Sequence, residues 1–160
     1  MQKTSYDIHW KMEWPPEGVP VEQVYGILFF EDGSVLVLDD DGRYNLPGGH
    51  PENQETWLQT LKRECMEEAQ VAITNPMYLG HIAVKEHTNG QTRDFVQLRF
   101  VAAVSTLLPS GSDPVTGKTY ARRRVEASDA ARLLNWGEHG TQQLNDAEAL
   151  WHLASRRRRA

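Results

Sequence analysis

The stretch of residues 48–71, GGHPENQETWLQTLKRECMEEAQV, decides how the rest of this chain is interpreted. Residues 55–69 are good helix formers, and Asn53 precedes them as a candidate N-cap. We therefore predict a helix over residues 55–69. Its apolar face has the spacing of a helix packed on a core. The residues of that face are Trp57, Leu58, Leu61, Cys65 and Ala69.

Three glutamates lie side by side on the predicted helix. At roughly 100° per residue, Glu64, Glu67 and Glu68 fall within an arc of about 100° next to the apolar face. Like charges at these spacings destabilise an isolated helix by roughly 0.2–0.5 kcal/mol per pair, and Arg63 relieves only part of that repulsion. A solvated helix face is one explanation of such a run. A bound cation is the other, because Mg²⁺ binds carboxylate oxygens and shares its remaining positions with water and substrate phosphates.

The residues around the three glutamates distinguish between these explanations. Gly49 is followed by Glu55, then by Arg63-Glu64, an apolar Cys65, Glu67-Glu68 and an apolar Val71, with Leu46-Pro47-Gly48 in front. These residue types at these offsets resemble the Nudix box. The chain departs from the family pattern at one position, where Gln70 replaces a glycine. That position is the expected helix exit, where a left-handed conformation disfavours a side chain by about 1 kcal/mol. The departure removes no carboxylate.

The resemblance implies a role for each residue of the box. Glu64 and Glu68 are the expected principal metal ligands, Glu67 is a ligand or the base that activates water, and the Gly48 carbonyl joins them on the metal. The implied structural residues are Gly49 and an ion pair of Glu55 with Arg63 that fixes the loop against the helix. The proton acceptor is not settled by the box. The candidates are Glu67, Glu86, Glu126 and Glu138.

The resemblance also implies a reaction. We expect a hydrolase, with Mg²⁺ or Mn²⁺ as cofactor, that cleaves the diphosphate bond of a nucleoside diphosphate linked to another moiety. The alternative is a Nudix-fold module that binds a nucleotide derivative without cleaving it. The intact set of Glu64, Glu67 and Glu68 argues against that alternative.

Composition restricts the class of protein further. A chain of 160 residues with 39 % hydrophobic residues suits one domain, residues 1–160. Cys65 is the only cysteine, so no intramolecular disulfide forms and a reducing cytoplasm is expected. No apolar run suits a signal peptide or a membrane span, so we expect no membrane partner.

The charge pattern supports a bound cation. The net charge is −5, although Arg156–Arg159 contribute four positive charges at the end of the chain. An acidic protein repels a phosphate-bearing substrate unless a cation is present in the site. We expect residues 155–160 to form a disordered basic tail and expect no nucleic acid as partner. The expected partner is a small diphosphate compound, and the sequence does not define an oligomeric state.

The remaining sequence predicts the other elements. The predicted strands are residues 6–14, 24–30, 35–38, 43–46, 77–85, 95–104 and 120–125, and the further helices are residues 129–134 and a segment after Thr141. Residues 105–118 are rich in Pro, Gly and Ser and predict a long loop. Together with the resemblance, these elements imply an α/β fold. The expected architecture is a Nudix-type α/β/α sandwich with a mixed, largely antiparallel sheet between helices.

Arg99 is the one substrate-binding candidate outside the box. In the strand of residues 95–104, Gln97 and Arg99 lie on the face opposite to Val96 and Leu98. An arginine fork matches phosphate oxygens, so Arg99 is a candidate phosphate contact. A solvated or ion-paired surface arginine is the competing interpretation.

Overall fold

The computed structural model describes residues 3–159, with side chains up to residue 157. The strands are β1 (Thr4–Lys11), β2 (Val21–Phe29), β3 (Val35–Asp40), β4 (Arg43–Asn45), β5 (Gly48–Gly49), β6 (Val71–Thr88), β7 (Gln91–Leu107) and β8 (Ala121–Val125). The helices are α1 (Trp57–Ala69), α2 (Ala127–Leu134) and α3 (Glu138–Arg159). The expected order of strands and helices is confirmed, and β6 and β7 are much longer than predicted.

One mixed sheet organises the fold. Its strand order is β1-β6-β7-β2-β3-β4, with β5 paired to β2 and β8 paired to β3. All pairings are antiparallel except that of β2 with β7. The parallel pair places Tyr25 of β2 directly beside Arg99 of β7, and Tyr25 faces Gly48 of β5 on its other side.

The two faces of the sheet carry different helices. Side chains of β2 point to opposite faces of the sheet and contribute to two separate core clusters. Val24 and Leu28 pack on the α1 side, while Ile27 and Phe29 pack on the side of α2 and α3. Helices therefore flank both faces of the sheet, which confirms the predicted α/β/α sandwich.

Helix α1 begins later than the sequence suggests. Its N-cap is Thr56, whose Oγ1 accepts a hydrogen bond from Gln59 N–H while Gln59 Oε1 accepts one from Thr56 N–H. This reciprocal capping box satisfies two helix-terminal donors. The prediction of Asn53 as the cap is wrong, since Asn53 has a left-handed φ of 44° in the preceding turn.

The end of the chain also differs from the prediction. Helix α3 continues to Arg159, so the backbone of residues 155–159 is helical and the expected disordered tail is corrected there. The physical reason is that arginine is a good helix former and that positive charge at a helix C-terminus is favourable with respect to the helix dipole. Ala160 lies outside the described residues.

Packing of α1 on the sheet depends on a few side chains. Leu61, Cys65 and Ala69 have no exposed surface, and a Cβ on Gly26 would lie 3.0 Å from the Leu61 side chain. Gly26 therefore permits the close approach of α1 to β2. Leu58, which the sequence also assigns to the apolar face, is 39 % exposed.

This difference in burial predicts different costs of truncation. We expect Leu61→Ala to lower the free energy of unfolding by about 2–5 kcal/mol, because it leaves a cavity in a packed core. The matched variant Leu58→Ala removes the same atoms from a partly solvated position and is expected to cost less than about 1 kcal/mol. Urea unfolding of both variants measures the difference. Equal losses would contradict this assignment of the buried face.

Candidate active site

The loop that precedes α1 is held close to β2 and to the helix. Gly26 N–H donates to the Pro47 carbonyl at 2.9 Å, and Gly48 and Gly49 pair with β2. A Cβ on Gly48 would overlap the Val24 carbonyl oxygen, and one on Gly49 would overlap the Glu64 carboxylate. Gly48 therefore requires glycine, because the clash there is with backbone, whereas a side chain at Gly49 would displace the Glu64 carboxylate from the loop.

Arg63 connects this loop to the helix. Its guanidinium binds both carboxylate oxygens of Glu55, at 2.8 and 3.0 Å, and donates to the His50 carbonyl at 3.0 Å. Its Nη1 also donates to Glu64 at 2.9 Å and to Glu67 at 3.1 Å. Hydrogen bonding to Arg63 is the main cause that lowers the pKa of Glu55 to about 2. Glu55 and Arg63 thus form the ion pair expected between the loop and the helix.

The three glutamates of the box lie at this junction. Glu68 Oε1 accepts a hydrogen bond from Gly48 N–H at 2.8 Å. The pKa of Glu68 is raised to about 7, chiefly by burial and also by the neighbouring carboxylates of Glu64, Asp113 and Glu67, against the lowering effect of the Gly48 hydrogen bond. Burial also raises the pKa of Glu64, against the opposing effect of Arg63. The site therefore concentrates negative charge in a partly buried place.

Asp113 is a member of this cluster that the sequence did not reveal. It is 5 % exposed and lies in the loop after β7, where its carboxylate accepts hydrogen bonds from Val115 N–H at 2.8 Å and Thr116 N–H at 3.3 Å. The sequence marked the loop as long but gave no signal that separates this aspartate from ordinary turn residues.

Gln70 links the same loop to the end of α1. It adopts the left-handed conformation, with φ 52° and ψ 45°, which is the conformation that a glycine at this position would take readily. Its side chain accepts a hydrogen bond from Gly111 N–H at 3.0 Å and donates one to the Glu67 carbonyl at 3.0 Å. The departure from the box therefore keeps the helix exit and adds a connection to the loop that carries Asp113.

The donor chemistry of the cluster fits a hard divalent cation. Its carboxylates are oxygen donors, and Gly49 lets the Glu64 carboxylate lie against the loop backbone. In the present side-chain arrangement, residues 3–157 contain no group of three His, Cys, Asp or Glu side chains assembled as a metal site. Each box glutamate contacts a protein donor instead, which is Arg63 for Glu64 and Glu67 and Gly48 N–H for Glu68.

Arg99 lies beside the box in a cavity of about 540 Å³ on the α3 side of the sheet. It is only 3 % exposed, so the interpretation as a solvated surface arginine is wrong. Its guanidinium carbon lies 4.8 Å from the Tyr25 ring centre and 5.2 Å from that of Trp136. Trp136 and His139 line the same cavity and had no distinguishing signal in the sequence, because Trp136 lies in an ordinary helix–helix connection and His139 is the second residue of α3.

The other proton-acceptor candidates lie in different places. Glu86 lines the cavity and pairs with Arg93. Glu126 is the N-cap residue of α2, and Glu138 is the first residue of α3. Of the four candidates, only Glu67 belongs to the carboxylate cluster around Glu68.

Comparison with known proteins assigns this arrangement to a family. The NUDIX domain model matches residues 20–143, so the chain belongs to the NUDIX family. This membership confirms the expected class, a Nudix hydrolase acting on phosphoric anhydrides. Proteins of this family generally use divalent metal ions. No helix within the described part of the chain has the length and apolarity needed to cross a bilayer.

Solved structures have the same fold at low sequence identity. A NUDIX hydrolase from Nitrosomonas europaea is 20 % identical, with a TM-score of 0.62 over 81 % of this chain and 89 % of that one. The Bacillus subtilis pyrophosphohydrolase BsRppH is 20 % identical, with a TM-score of 0.59 over 73 % of this chain and 70 % of that one. The C. elegans Ap4A hydrolase is 16 % identical, with a TM-score of 0.54 over 83 % of this chain and 99 % of that one. A comparison with curated protein sequences gave no match.

The role of Gln70 can be tested by restoring glycine. Gln70→Gly removes about 1 kcal/mol of left-handed strain but loses two hydrogen bonds worth roughly 0.5–1.5 kcal/mol each, so we expect the free energy of unfolding to fall by no more than about 2 kcal/mol. We expect faster hydrogen exchange at the Gly111 amide, measured by NMR, because its acceptor is gone. Asn135→Gly is the control, since Asn135 is also a left-handed helix C-cap and lies at the end of α2. Unchanged exchange at Gly111 in Gln70→Gly would contradict the connection.

Proposed function

We propose that this protein is a Mg²⁺-dependent hydrolase that cleaves the diphosphate bond of a nucleoside diphosphate linked to another moiety. The observation that carries the proposal is the contact of the glycine loop with the acidic edge of α1, where Gly48 N–H donates to Glu68 at 2.8 Å and Glu64 lies against Gly49. Because the chain belongs to the NUDIX family, we interpret this junction as the place where the metal and the diphosphate bind.

We assign the metal to Glu64, Glu67, Glu68 and the Gly48 carbonyl. The ion, when bound, neutralises charge on the phosphate oxygens and lowers the pKa of the attacking water. The hard oxygen donors suit Mg²⁺, and Mn²⁺ accepts the same ligands. Burial and, after it, the neighbouring carboxylates raise the pKa of Glu68, and a cation held by these residues would oppose both effects.

The protein residues have separate tasks in this proposal. Arg63 holds Glu64 and Glu67 through one nitrogen and fixes the loop through Glu55 and His50. Glu67 is our choice as the group that accepts the proton of the attacking water, because it belongs to the carboxylate cluster, whereas Glu86 pairs with Arg93 and Glu126 and Glu138 lie at the starts of α2 and α3. Hydrolysis then gives a monophosphate and the rest of the substrate.

The substrate is proposed to bind in the cavity of Arg99. Tyr25 lines that cavity, and in the sheet it pairs with Gly48 of the loop on one side and with Arg99 on the other. The named activity of the C. elegans Ap4A hydrolase, which has the same fold, supports a nucleotide-derived compound. The single buried cysteine, Cys65, suits a reducing cytoplasm as the location.

Replacement of one ligand tests the proposal. We expect Glu68→Gln to abolish Mg²⁺-dependent hydrolysis, because an amide removes one anionic ligand while its oxygen still accepts from Gly48 N–H. Thermal unfolding should be unchanged or improved, since a charge leaves a buried position. Turnover is measured on nucleoside triphosphates, dinucleotides, nucleotide sugars and ADP-ribose, with Mg²⁺ and with Mn²⁺.

The control for this test is Glu31→Gln, which changes an exposed glutamate in the turn between β2 and β3. Full activity of Glu68→Gln on a compound that the unmodified protein cleaves would contradict the metal assignment. Saturable binding of these compounds without any turnover in the unmodified protein would favour the alternative, a module that senses a nucleotide derivative.

A further inference from the structure

Arg99 carries a buried positive charge that no acidic side chain neutralises. Its side chain is 3 % exposed, and no Asp or Glu of the described residues lies within ion-pair distance of it. Burial lowers the pKa of Arg99 to about 10, which still leaves the guanidinium charged at neutral pH. Burying an unpaired charge is strongly unfavourable, so packing alone does not explain the presence of Arg99 here.

The protein partners of Arg99 satisfy only part of its donors. Nε donates to Gln143 Oε1 at 2.8 Å, and Nη1 donates to the Leu98 carbonyl at 3.2 Å. Nη2 makes no hydrogen bond with the described residues and is not a fully enclosed atom. The aromatic rings of Tyr25 and Trp136 contribute cation–π attraction, but they do not neutralise the charge.

The carboxylates of the same cavity are already paired. Glu22 and Glu86 line the cavity, and both contact Arg93, whose side chain is about half exposed. Two acidic groups and one basic group therefore form a separate cluster at the mouth. Arg99 remains as the uncompensated cation deeper in the cavity.

A second donor lies next to Arg99, and its protonation follows from the hydrogen bonds. Arginine can only donate, so Gln143 directs its carbonyl oxygen at Arg99 and its NH₂ at His139 Nδ1, at 2.9 Å. His139 Nδ1 is therefore the acceptor nitrogen. The neutral ring, favoured because burial and Arg99 lower the pKa of His139, carries its proton on Nε2. Gln143 is fully buried and holds both side chains in place.

The cavity is within reach of the metal loop. Tyr25 pairs with Arg99 on one side and with Gly48 on the other. Arg99 and Gly48 are therefore two strand spacings of about 4.8 Å apart, which places their Cα atoms about 10 Å from each other. The Tyr25 strand stands between the two positions. The Tyr25 side chain lies beside Gly48 and interacts electrostatically with Arg99 as well as with Glu68 and Glu64. An extended substrate that passes Tyr25 can therefore place its diphosphate at the loop and another group at Arg99.

We propose that Arg99 and His139 form a receptor for a second anionic group of the substrate, a phosphate or a carboxylate outside the diphosphate that is cleaved. Gln143 is the positioning residue that orients both donors. The inference rests on the proposed function and names its substrate class, a diphosphate compound with a further acidic substituent.

Direct binding tests the receptor without any turnover. The ¹⁵N-labelled protein in EDTA is titrated with pyrophosphate or citrate at constant ionic strength, and the Arg99 Nε–H resonance is followed by NMR. The resonance is assigned by its loss in Arg99→Met. We expect a saturable shift with at least one of the two anions, and the one that acts distinguishes phosphate from carboxylate recognition. A resonance that moves with neither anion would overturn the proposal.

A charge placed inside the protein gives a second test. Gln143→Glu puts a carboxylate at the position of the amide that bonds Arg99, so we expect a higher Tm and loss of pyrophosphate and citrate binding, because the protein now supplies its own anion. The matched control is Gln142→Glu, which adds the same charge at the adjacent exposed position and should leave anion binding unchanged. If anion affinity is unchanged in Gln143→Glu, or if its Tm is lower than that of Gln142→Glu, the proposal that Arg99 binds an external anion as its counter-ion is contradicted.

Turnover of matched substrates completes the test. NADPH is compared with NADH for an added phosphate, and UDP-glucuronate with UDP-glucose for an added carboxylate. We expect the acidic member of one pair to be preferred in kcat/KM, and Arg99→Met to reduce that preference by roughly tenfold to a hundredfold. Arg132→Met, which changes an exposed arginine on α2 outside the cavity lining, should retain the preference. If Arg99→Met lowers kcat/KM equally for both members of each pair, Arg99 contacts the cleaved diphosphate. That result would overturn this inference and leave the proposed function intact.

The tests separate the two proposals. Absence of any hydrolysis together with anion binding at Arg99 would contradict the proposed function and leave the receptor supported. Hydrolysis without a shift of the Arg99 resonance would support the proposed function and contradict the receptor.

Discussion

The Arg63 guanidinium is the contact on which the catalytic region depends. It holds both oxygens of Glu55, the His50 carbonyl and two glutamates of α1, and so ties the loop to the helix through one planar group. A lysine offers a compact charge without this fixed fork, so it could not make the same set of directed bonds. Arg63 also brings positive charge to an edge where Glu64, Glu67 and Glu68 would otherwise repel one another.

The remaining supports of the site come from distant parts of the chain. Gln70 ties the end of α1 to Gly111, and Arg122 of β8 donates to the carbonyls of Ala69 and Leu108. The loop that carries Asp113 is thus fixed at its beginning to the helix exit. The sheet contributes the other wall, because the parallel pairing of β2 with β7 aligns Tyr25 with Arg99. The acidic junction and the cavity are therefore built from segments that are far apart in sequence.

The sequence predicted those features that depend on local pattern. The apolar run of β2 and the Asn89-Gly90 turn between β6 and β7 are short-range signals, and the spacing of Gly49, Glu55, Arg63 and Glu64 identified the family. Thr56 was missed as N-cap because several polar residues precede the helix, and only the bond to Gln59 distinguishes among them. The burial of Arg99 was missed for a different reason. It depends on Trp136 and Gln143 from the other end of the chain, which no local pattern connects to β7.

Gln70 changes what the second glycine of the Nudix box means. At this position the chain has a glutamine with φ 52°, and the sheet strand that follows still begins at Val71. What the fold requires at the helix exit is thus a dihedral angle, which glycine provides most readily and other residues provide at a modest cost. The second glycine of the pattern reflects a preferred backbone conformation, whereas Gly48 and Gly49 reflect close contacts, with backbone at Gly48 and with the Glu64 carboxylate at Gly49. A pattern search that demands glycine at both glycine positions of the box, 49 and 70, treats two different constraints as equal and passes over members of the family such as this one.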